Sequence, residues 1–273
     1  MYLVAEIERQ FGLTFSVDVL FEAPTLEQLA AKISTGGVST GAYVTLVNEG
    51  TKPPLFCVSG TGGHVFRLRP FAVHLETDQP VYGLHFPGID SHEQPCESVE
   101  DVAIDMIEKI RSKQPYGPYY LAGYSYGGLV CYEIAQRLTK AGESIGLLVL
   151  LDTSPHLPIV ADYNEKLLAM IKAEQEEEVF VFAHLRKILE ANENAERRYS
   201  PPLDICGKVA LFRTDQSHTV HNSPTLGWDR LVPSGLAVYP IEGTHDTMLE
   251  DPYVKGLSEK LRMALSKELK CVI

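Results

Sequence analysis

Tyr119-Tyr120-Leu121-Ala122-Gly123-Tyr124-Ser125-Tyr126-Gly127-Gly128 is the stretch on which the reading of this chain turns. Its first half is an apolar, aromatic run that suits a buried strand. Its last residues open a helix rich in alanine and leucine, expected over residues 127–141. Between the two stands G-x-S-x-G, and strand–turn–helix is the context that gives that motif meaning. The glycines let the backbone reverse without a Cβ clash, which leaves the Ser125 hydroxyl at the carboxyl edge of a sheet. The N–H groups that begin the helix point at the same place and favour a developing negative charge.

Working outward, strands and helices alternate. Leu55–Val58 is a short apolar strand that ends in Ser59-Gly60-Thr61-Gly62-Gly63. A helix is expected over residues 64–74 and a strand over 81–86. Ser98-x-x-Asp101 caps a helix to about Lys113, with Val102, Met106, Ile107 and Ile110 on one stripe. Further strands fall at residues 147–151, 209–212 and 236–241, and a closing helix at 252–265. Apolar strands separated by amphipathic helices imply an α/β fold, a mostly parallel central sheet with helices on both faces. The insertion between Asp152 and Lys208, about fifty residues long, exceeds an ordinary connection and reads as a helical lid over a site, about 156–205. Its middle, residues 165–189, is helical by pattern, and its acidic run 174–178 is read as a solvated face.

A serine nucleophile needs a base, and the nine histidines are unequal candidates. His245, in Glu242-Gly243-Thr244-His245-Asp246, follows the last strand and precedes the last helix, level with Ser125. His64 borders the glycine turn after the first core strand, where the start of a helix is its ordinary role. Two aspartates end core strands, Asp152 and Asp215, and position alone does not choose between them. Ser125, then an aspartate, then His245 is the chain order of the α/β-hydrolase triad. The glycine run 59–63 fits the second half of an oxyanion hole, because glycine lets backbone N–H groups approach a ligand. It lacks the Lys-Ser/Thr of a phosphate loop and does not match the dinucleotide fingerprint.

Composition narrows the classes. The chain has 273 residues, 45% of them hydrophobic and 22% charged, the balance of a globular domain. Its net charge of −12 repels phosphate backbones, so no nucleic-acid partner is expected. No apolar run approaches the roughly 20 residues of a membrane span, and MYLVAEIERQF is not a signal peptide. Five dispersed cysteines form no CxxC pair, so no metal site or disulfide framework is expected and a cytoplasmic setting is. Residues 1–35 read as a small acidic helical segment, with Leu3, Val4, Ile7 and Phe11 on one face and a Thr25-x-x-Gln28 capping box. Residues 36–42 continue a flexible Ser/Thr/Gly linker.

The run from Gln114 to Gly128 resembles the thioesterase domains that end nonribosomal peptide and polyketide synthases. So do Val81-Tyr82-Gly83-Leu84, Pro87-Gly88-Ile89-Asp90, Leu151-Asp152-Thr153-Ser154-Pro155, Gly227-Trp228, Gly243-Thr244-His245 and Met248-Leu249. This family is one of α/β-hydrolase fold, and the resemblance runs from about residue 43 to 265, within an expected domain of 43–273. It implies Ser125 as nucleophile, His245 as base and Asp152, over Asp215, as the acid. It implies oxyanion donors in the backbone N–H groups of Tyr126 and Thr61. The family often has His-Pro-Ala-Gly-Gly where this chain has Ser59-Gly60-Thr61-Gly62-Gly63. Tyr124, Phe180 and Phe182 are candidates to line a substrate chamber, with buried core the competing role for the phenylalanines.

Residues 1–35 resemble the second half of a carrier domain, Phe21-Glu22-Ala23-Pro24-Thr25 being the telling piece. The serine that would bear phosphopantetheine belongs before this point, so the chain is expected to be a terminal fragment with a carrier in cis. The implied substrate is an acyl or peptidyl thioester on the carrier's phosphopantetheine arm, with no cofactor bound directly. The same resemblance implies chain release by hydrolysis or macrocyclisation. The rival readings are a general esterase or lipase of the same fold and a non-catalytic binding module that keeps it.

Overall fold

The computed structural model describes residues 2–13, 19–36, 43–47, 50–63, 65–88, 94–155, 180–203 and 207–269. These residues form a seven-stranded sheet. In chain order its strands are β1 (Tyr43–Val47), β2 (Leu55–Val58), β3 (Val81–Leu84), β4 (Tyr119–Tyr124), β5 (Ile145–Leu151), β6 (Val209–Thr214) and β7 (Leu236–Ile241). In space they lie β1-β3-β2-β4-β5-β6-β7. Every pairing is parallel except β1 with β3, which is antiparallel, so the α/β-hydrolase arrangement expected from the sequence is the one observed.

The strands β2, β4 and β6 are buried along their whole length, as parallel strands covered on both faces require. On one face α5 (Val99–Lys113) and α6 (Tyr126–Lys140) cover Phe56, Leu121, Leu148 and Leu211. On the other, α4 (Arg69–His74) and α9 (Tyr253–Leu269) cover Leu55, Tyr120, Val149 and Phe212. The alternation of these residues along each strand is the period-2 pattern that splits one apolar strand between two cores. Ser98 caps α5 by accepting from the Asp101 N–H at 3.1 Å, as its spacing predicts.

The structure departs from the sequence expectations in local detail. The expected helix at 64–74 is a 3-10 turn, Val65–Leu68, followed by α4, with Pro70 in the first turn of α4, where its missing N–H costs nothing. The strand expected over 81–86 ends at Leu84. A short helix not anticipated, α8 (Asp215–His221), succeeds β6, and Asp215 opens it. Of the lid, residues 156–179 and 204–205 lie outside the described residues. Its remainder is dominated by α7 (Phe180–Arg198), nine residues longer at its end than the helical pattern to residue 189 indicated.

The N-terminal segment forms α1 (Tyr2–Phe11), α2 (Val19–Glu22) and α3 (Leu26–Thr35) around a small core of Val4, Ile7, Val19, Ala23 and Leu29. The Thr25–Gln28 capping box is formed in both directions, and Gly36 closes α3 in the left-handed region. The segment is docked to the larger domain through α1, which packs against α7. Residues 37–42, most of the expected linker, lie outside the described residues. Among the described residues no helix is long and apolar enough to cross a membrane.

The sharpest packing constraint lies where β4 meets α6. A Cβ on Gly127 would stand 2.2 Å from the Ser59 carbonyl oxygen and 2.5 Å from that of Val58. Both obstacles are backbone of β2 and its loop, which cannot rotate aside. Gly127→Ala therefore forces α6 away from the sheet and should cost roughly 1–3 kcal/mol or more. A urea-unfolding midpoint equal to that of the parent chain would refute this.

Candidate active site

The carboxyl ends of the central strands lie level, and the ladder continues into the loops. Tyr124 pairs with Leu151, and Leu151 with Phe212. The Ser125 N–H then donates to the Leu151 carbonyl at 3.0 Å, and the Asp152 N–H to the Phe212 carbonyl at 2.7 Å. Ser125 and Asp152 are thus each the first residue past the end of a buried strand.

Ser125 has φ 55° and ψ −126°, a combination that costs a non-glycine residue on the order of 1–3 kcal/mol. The surroundings impose it. A Cβ on Gly123 would be 2.2 Å from the Gly127 carbonyl oxygen, and one on Gly128 would be 2.0 Å from Thr153 Oγ1. The Ser125 carbonyl accepts from the Gly128 N–H and from Thr153 Oγ1, both at 2.9 Å. With its carbonyl turned inward, Ser125 faces the sheet edge.

His245 lies opposite. Its Nε2 is 3.0 Å from Ser125 Oγ and its Nδ1 is 3.0 Å from Asp152 Oδ2. The imidazole is almost wholly buried, and Asp152 wholly so. Its ring stacks on Tyr124 with centroids 4.9 Å apart, and the Tyr124 hydroxyl donates to the His245 carbonyl at 2.7 Å. The His245 N–H donates to Gln216 Oε1 at 3.2 Å. Arg67 holds the next residue, donating to the Asp246 carbonyl at 2.6 Å while its guanidinium lies over the Tyr124 ring.

A buried carboxylate must be paired or hydrogen-bonded. Oδ1 of Asp152 accepts from the Thr214 N–H at 2.7 Å, and Oδ2 from Ser217 Oγ at 2.6 Å and Thr214 Oγ1 at 3.1 Å, besides facing His245. Burial by itself would push this carboxyl up. The bond to His245, its charge, and the bonds from Ser217 and Thr214 outweigh that and hold it below its ordinary value. Asp152 accordingly stays ionised. Its own φ is 51°, in the left-handed region that aspartate tolerates better than most side chains.

Of the two aspartates left open by residue pattern, the structure brings Asp152 to His245. Asp215 points outward, its side chain 87% exposed and paired with Arg213 at 3.3 Å. Gly60, the residue before Thr61, lies against Ser125, since a Cβ on Gly60 would be 3.5 Å from the Cβ of Ser125. Tyr124, a candidate for the substrate chamber, is instead buried against His245. The side chains of Phe180 and Phe182, and all of His64, lie outside the described residues. Among the described residues no group of histidine, cysteine and acidic side chains could hold a metal ion.

Sequence reading missed Thr214, Ser217 and Gln216, which hold the acid and the histidine loop. It also missed Trp228 as a support, although its indole N–H donates to the Thr153 carbonyl at 2.7 Å. The signal for the first pair was present: Thr214-x-x-Ser217 after a strand is a helix N-cap, and Thr214 Oγ1 accepts from the Ser217 N–H.

A strained serine at a strand–helix elbow, a buried histidine and a buried aspartate define the class of the α/β-hydrolases. The comparisons are more specific. A family model described as "Thioesterase domain" matches residues 53–263, and one described as "Phosphopantetheine attachment site" matches residues 1–33. This chain belongs to the thioesterase domain family. Malpinin synthetase of Mortierella alpina is 29% identical over 290 residues, covering 99% of this chain and 4% of its own length. A dimodular nonribosomal peptide synthase of Bacillus subtilis (strain 168) is 39% identical over 175 residues, covering 62% of this chain and 7% of its own length. The chain therefore spans only a small fraction of these relatives. Among solved structures, a four-domain nonribosomal peptide synthetase bound to AMP and glycine superposes with TM-score 0.73 at 21% identity, over 96% of this chain and 23% of that one. The NocB thioesterase domain, in covalent complex with a fluorophosphonate nocardicin G analogue, gives TM-score 0.65 at 24% identity, over 79% of this chain and 95% of that one.

The neighbouring α7 carries Glu196, whose carboxyl is pushed up to about 7 by burial and then by Glu193, against a smaller pull from Arg197. The folded chain holds this proton more tightly than the unfolded one, so the group's contribution to stability falls as pH rises from 4.5 toward 7. Glu196→Gln removes the penalty of the charged form. It should raise the melting temperature at about pH 8 and do so much less at about pH 5. A shift of the same size at both values would refute the assignment.

Proposed function

We propose that this chain releases an acyl or peptidyl group from a carrier-bound phosphopantetheine thioester through an acyl-enzyme on Ser125. The observation that carries the reading is the continuous relay Ser125 Oγ–His245 Nε2 and His245 Nδ1–Asp152 Oδ2, with 3.0 Å at each step. With the Nδ1 proton directed at the ionised Asp152, Nε2 is left to accept the Ser125 hydroxyl proton. Oγ attacks the thioester carbonyl, and the C–O bond forms as the carbonyl oxygen becomes an oxyanion. The N–H groups of Tyr126, first in α6, and of Thr61 are the proposed donors to that oxygen. Collapse breaks the C–S bond. The thiol leaves with the proton returned by His245, and the acyl group remains on Ser125.

In the second half His245 takes a proton from water or from a hydroxyl or amine within the acyl chain. The new bond forms at the carbonyl carbon, the ester to Ser125 breaks, and Oγ recovers its proton. Water yields a free acid and an internal nucleophile a ring. The match of residues 1–33 to a phosphopantetheine attachment site favours a carrier-bound thioester over a small oxygen ester.

Intact-protein mass spectrometry with acyl-pantetheine thioesters and matched oxygen esters tests this reading. A mass increase lost in Ser125→Ala is expected. Asp152→Asn should slow acylation by roughly 10³–10⁴-fold through loss of the correct imidazole tautomer, with Asp215→Asn near the parent rate. Faster acylation by the oxygen esters would favour a general esterase. Failure of Ser125 to take any acyl group would favour the non-catalytic module.

A further inference from the structure

The buried face of α7 runs Leu185, Ile188, Leu189, Asn192 and Ala195, the three- and four-residue spacing of one helical stripe, and Tyr199 just past its end is buried as well. Asn192 is a buried amide at the centre of that stripe, only 2% exposed. A buried amide in apolar company is costly unless hydrogen-bonded, so the bond it makes is informative. Its Nδ2 donates to the main-chain carbonyl of Thr61 at 2.6 Å, across 131 residues of sequence. Only the nitrogen of the amide can donate to a carbonyl, which fixes the orientation of the group.

Thr61 lies between two peptide planes that are held from different sides. The plane carrying the Gly60 carbonyl and the Thr61 N–H is held locally, the Gly63 N–H donating to the Gly60 carbonyl at 2.8 Å. The plane carrying the Thr61 carbonyl is held by Asn192. With both planes anchored, neither backbone torsion of Thr61 is free, and the direction of its N–H is set. That loop lies directly against Ser125, as the close approach of Gly60 shows.

We propose that Asn192 is a positioning residue for acyl transfer, holding the Thr61 N–H where the oxyanion forms and thereby making an effective oxyanion hole depend on the seating of α7. This rests on the acyl-enzyme reading above. Helix α7 also receives α1, so one helix contacts both the carrier-like segment and the loop beside the nucleophile.

The test uses the full 273-residue chain. Asn192→Leu removes the donor at nearly constant side-chain shape, Asn192→Asp does so at a pH high enough to keep its carboxyl ionised, and Asn192→Gln keeps the donor on a longer stem. Three readouts are taken on folded protein: kcat and KM for a short acyl-pantetheine thioester, affinity for an alkyl boronic acid, and the rate at which a fluorophosphonate labels Ser125. The boronic acid adds Ser125 Oγ to boron as a tetrahedral anion, and the fluorophosphonate forms a P–O bond as fluoride leaves. The boronate places an oxygen of a tetrahedral anion in the hole, and the phosphonate places its polarised phosphoryl oxygen there.

In the Leu and Asp variants kcat should fall by about 10²-fold, the cost of a small misplacement, with KM nearly unchanged. Boronate affinity and labelling rate should fall in parallel, and the Gln variant should recover much of the loss. Wild-type kcat and boronate affinity in a folded Leu or Asp variant would overturn the proposal. So would a loss confined to KM or melting temperature, because a buried amide with a merely structural role moves only those. Should both donor-less variants unfold, equal defects in Asn192→Gln and Asn192→Ser, which shortens the donor out of reach, would also overturn it. A parent chain that is labelled at Ser125 but turns over no thioester would sink the thioesterase reading, while the labelling rates still decide the role of Asn192. A parent chain that is not labelled would sink both.

Discussion

The backbone reversal at Ser125 is the constraint on which the rest of the site depends. At φ 55° and ψ −126° the residue is in a conformation it would not adopt alone, and it persists because its neighbours leave no alternative. Gly123 meets the carbonyl of Gly127, Gly127 meets the carbonyl of Ser59, and Gly128 meets the side chain of Thr153. Three elements, β2, β4 and α6, therefore approach to distances that only a missing Cβ permits. The reward is positional. The hydroxyl stands past the sheet edge on a rigid support, at the N-terminus of the helix that starts with the next residue.

A second layer holds the partners of that hydroxyl. Asp152 is buried and ionised at once, which is sustainable only because Thr214, Ser217 and His245 together supply its donors. His245 is gripped through its backbone and its ring, by Gln216 at the N–H, by the Tyr124 hydroxyl at the carbonyl and by the Tyr124 ring across its face. Tyr124 thus joins nucleophile and base covalently on one side and by contact on the other, being the residue before Ser125 in the chain. The same physics extends to the lid side, where Asn192 ties α7 to the loop at Thr61.

Legibility tracked how local each determinant is. The elbow was readable because glycines, serine and the change from strand to helix are contiguous. The strand core was readable because a sheet buried on both faces demands unbroken apolar runs, and Leu55–Val58 and Tyr119–Tyr124 supply them. His245 was readable from its place between the last strand and the last helix. Boundaries were less so: the 3-10 turn at Val65–Leu68 and the short helix at Asp215–His221 arise from capping and chain direction over a few residues.

The sequence by itself determined the fold class and put Ser125 and His245 at one edge of the sheet, because each rests on periodicity or on a short motif whose geometry is local. It left the acid between Asp152 and Asp215, since both end strands and only the family resemblance separated them. The tertiary structure separates the two physically, turning Asp152 inward to four donors, His245 among them, and leaving Asp215 in solvent. It also decided what Tyr124 and Asn192 touch. Tyr124 reads as a wall of a chamber until its ring is seen against His245, and Asn192 reads as one polar residue among many on a lid helix until its partner is known. That partner is 131 residues away in the chain and 2.6 Å away in space, and no local pattern encodes such a pairing.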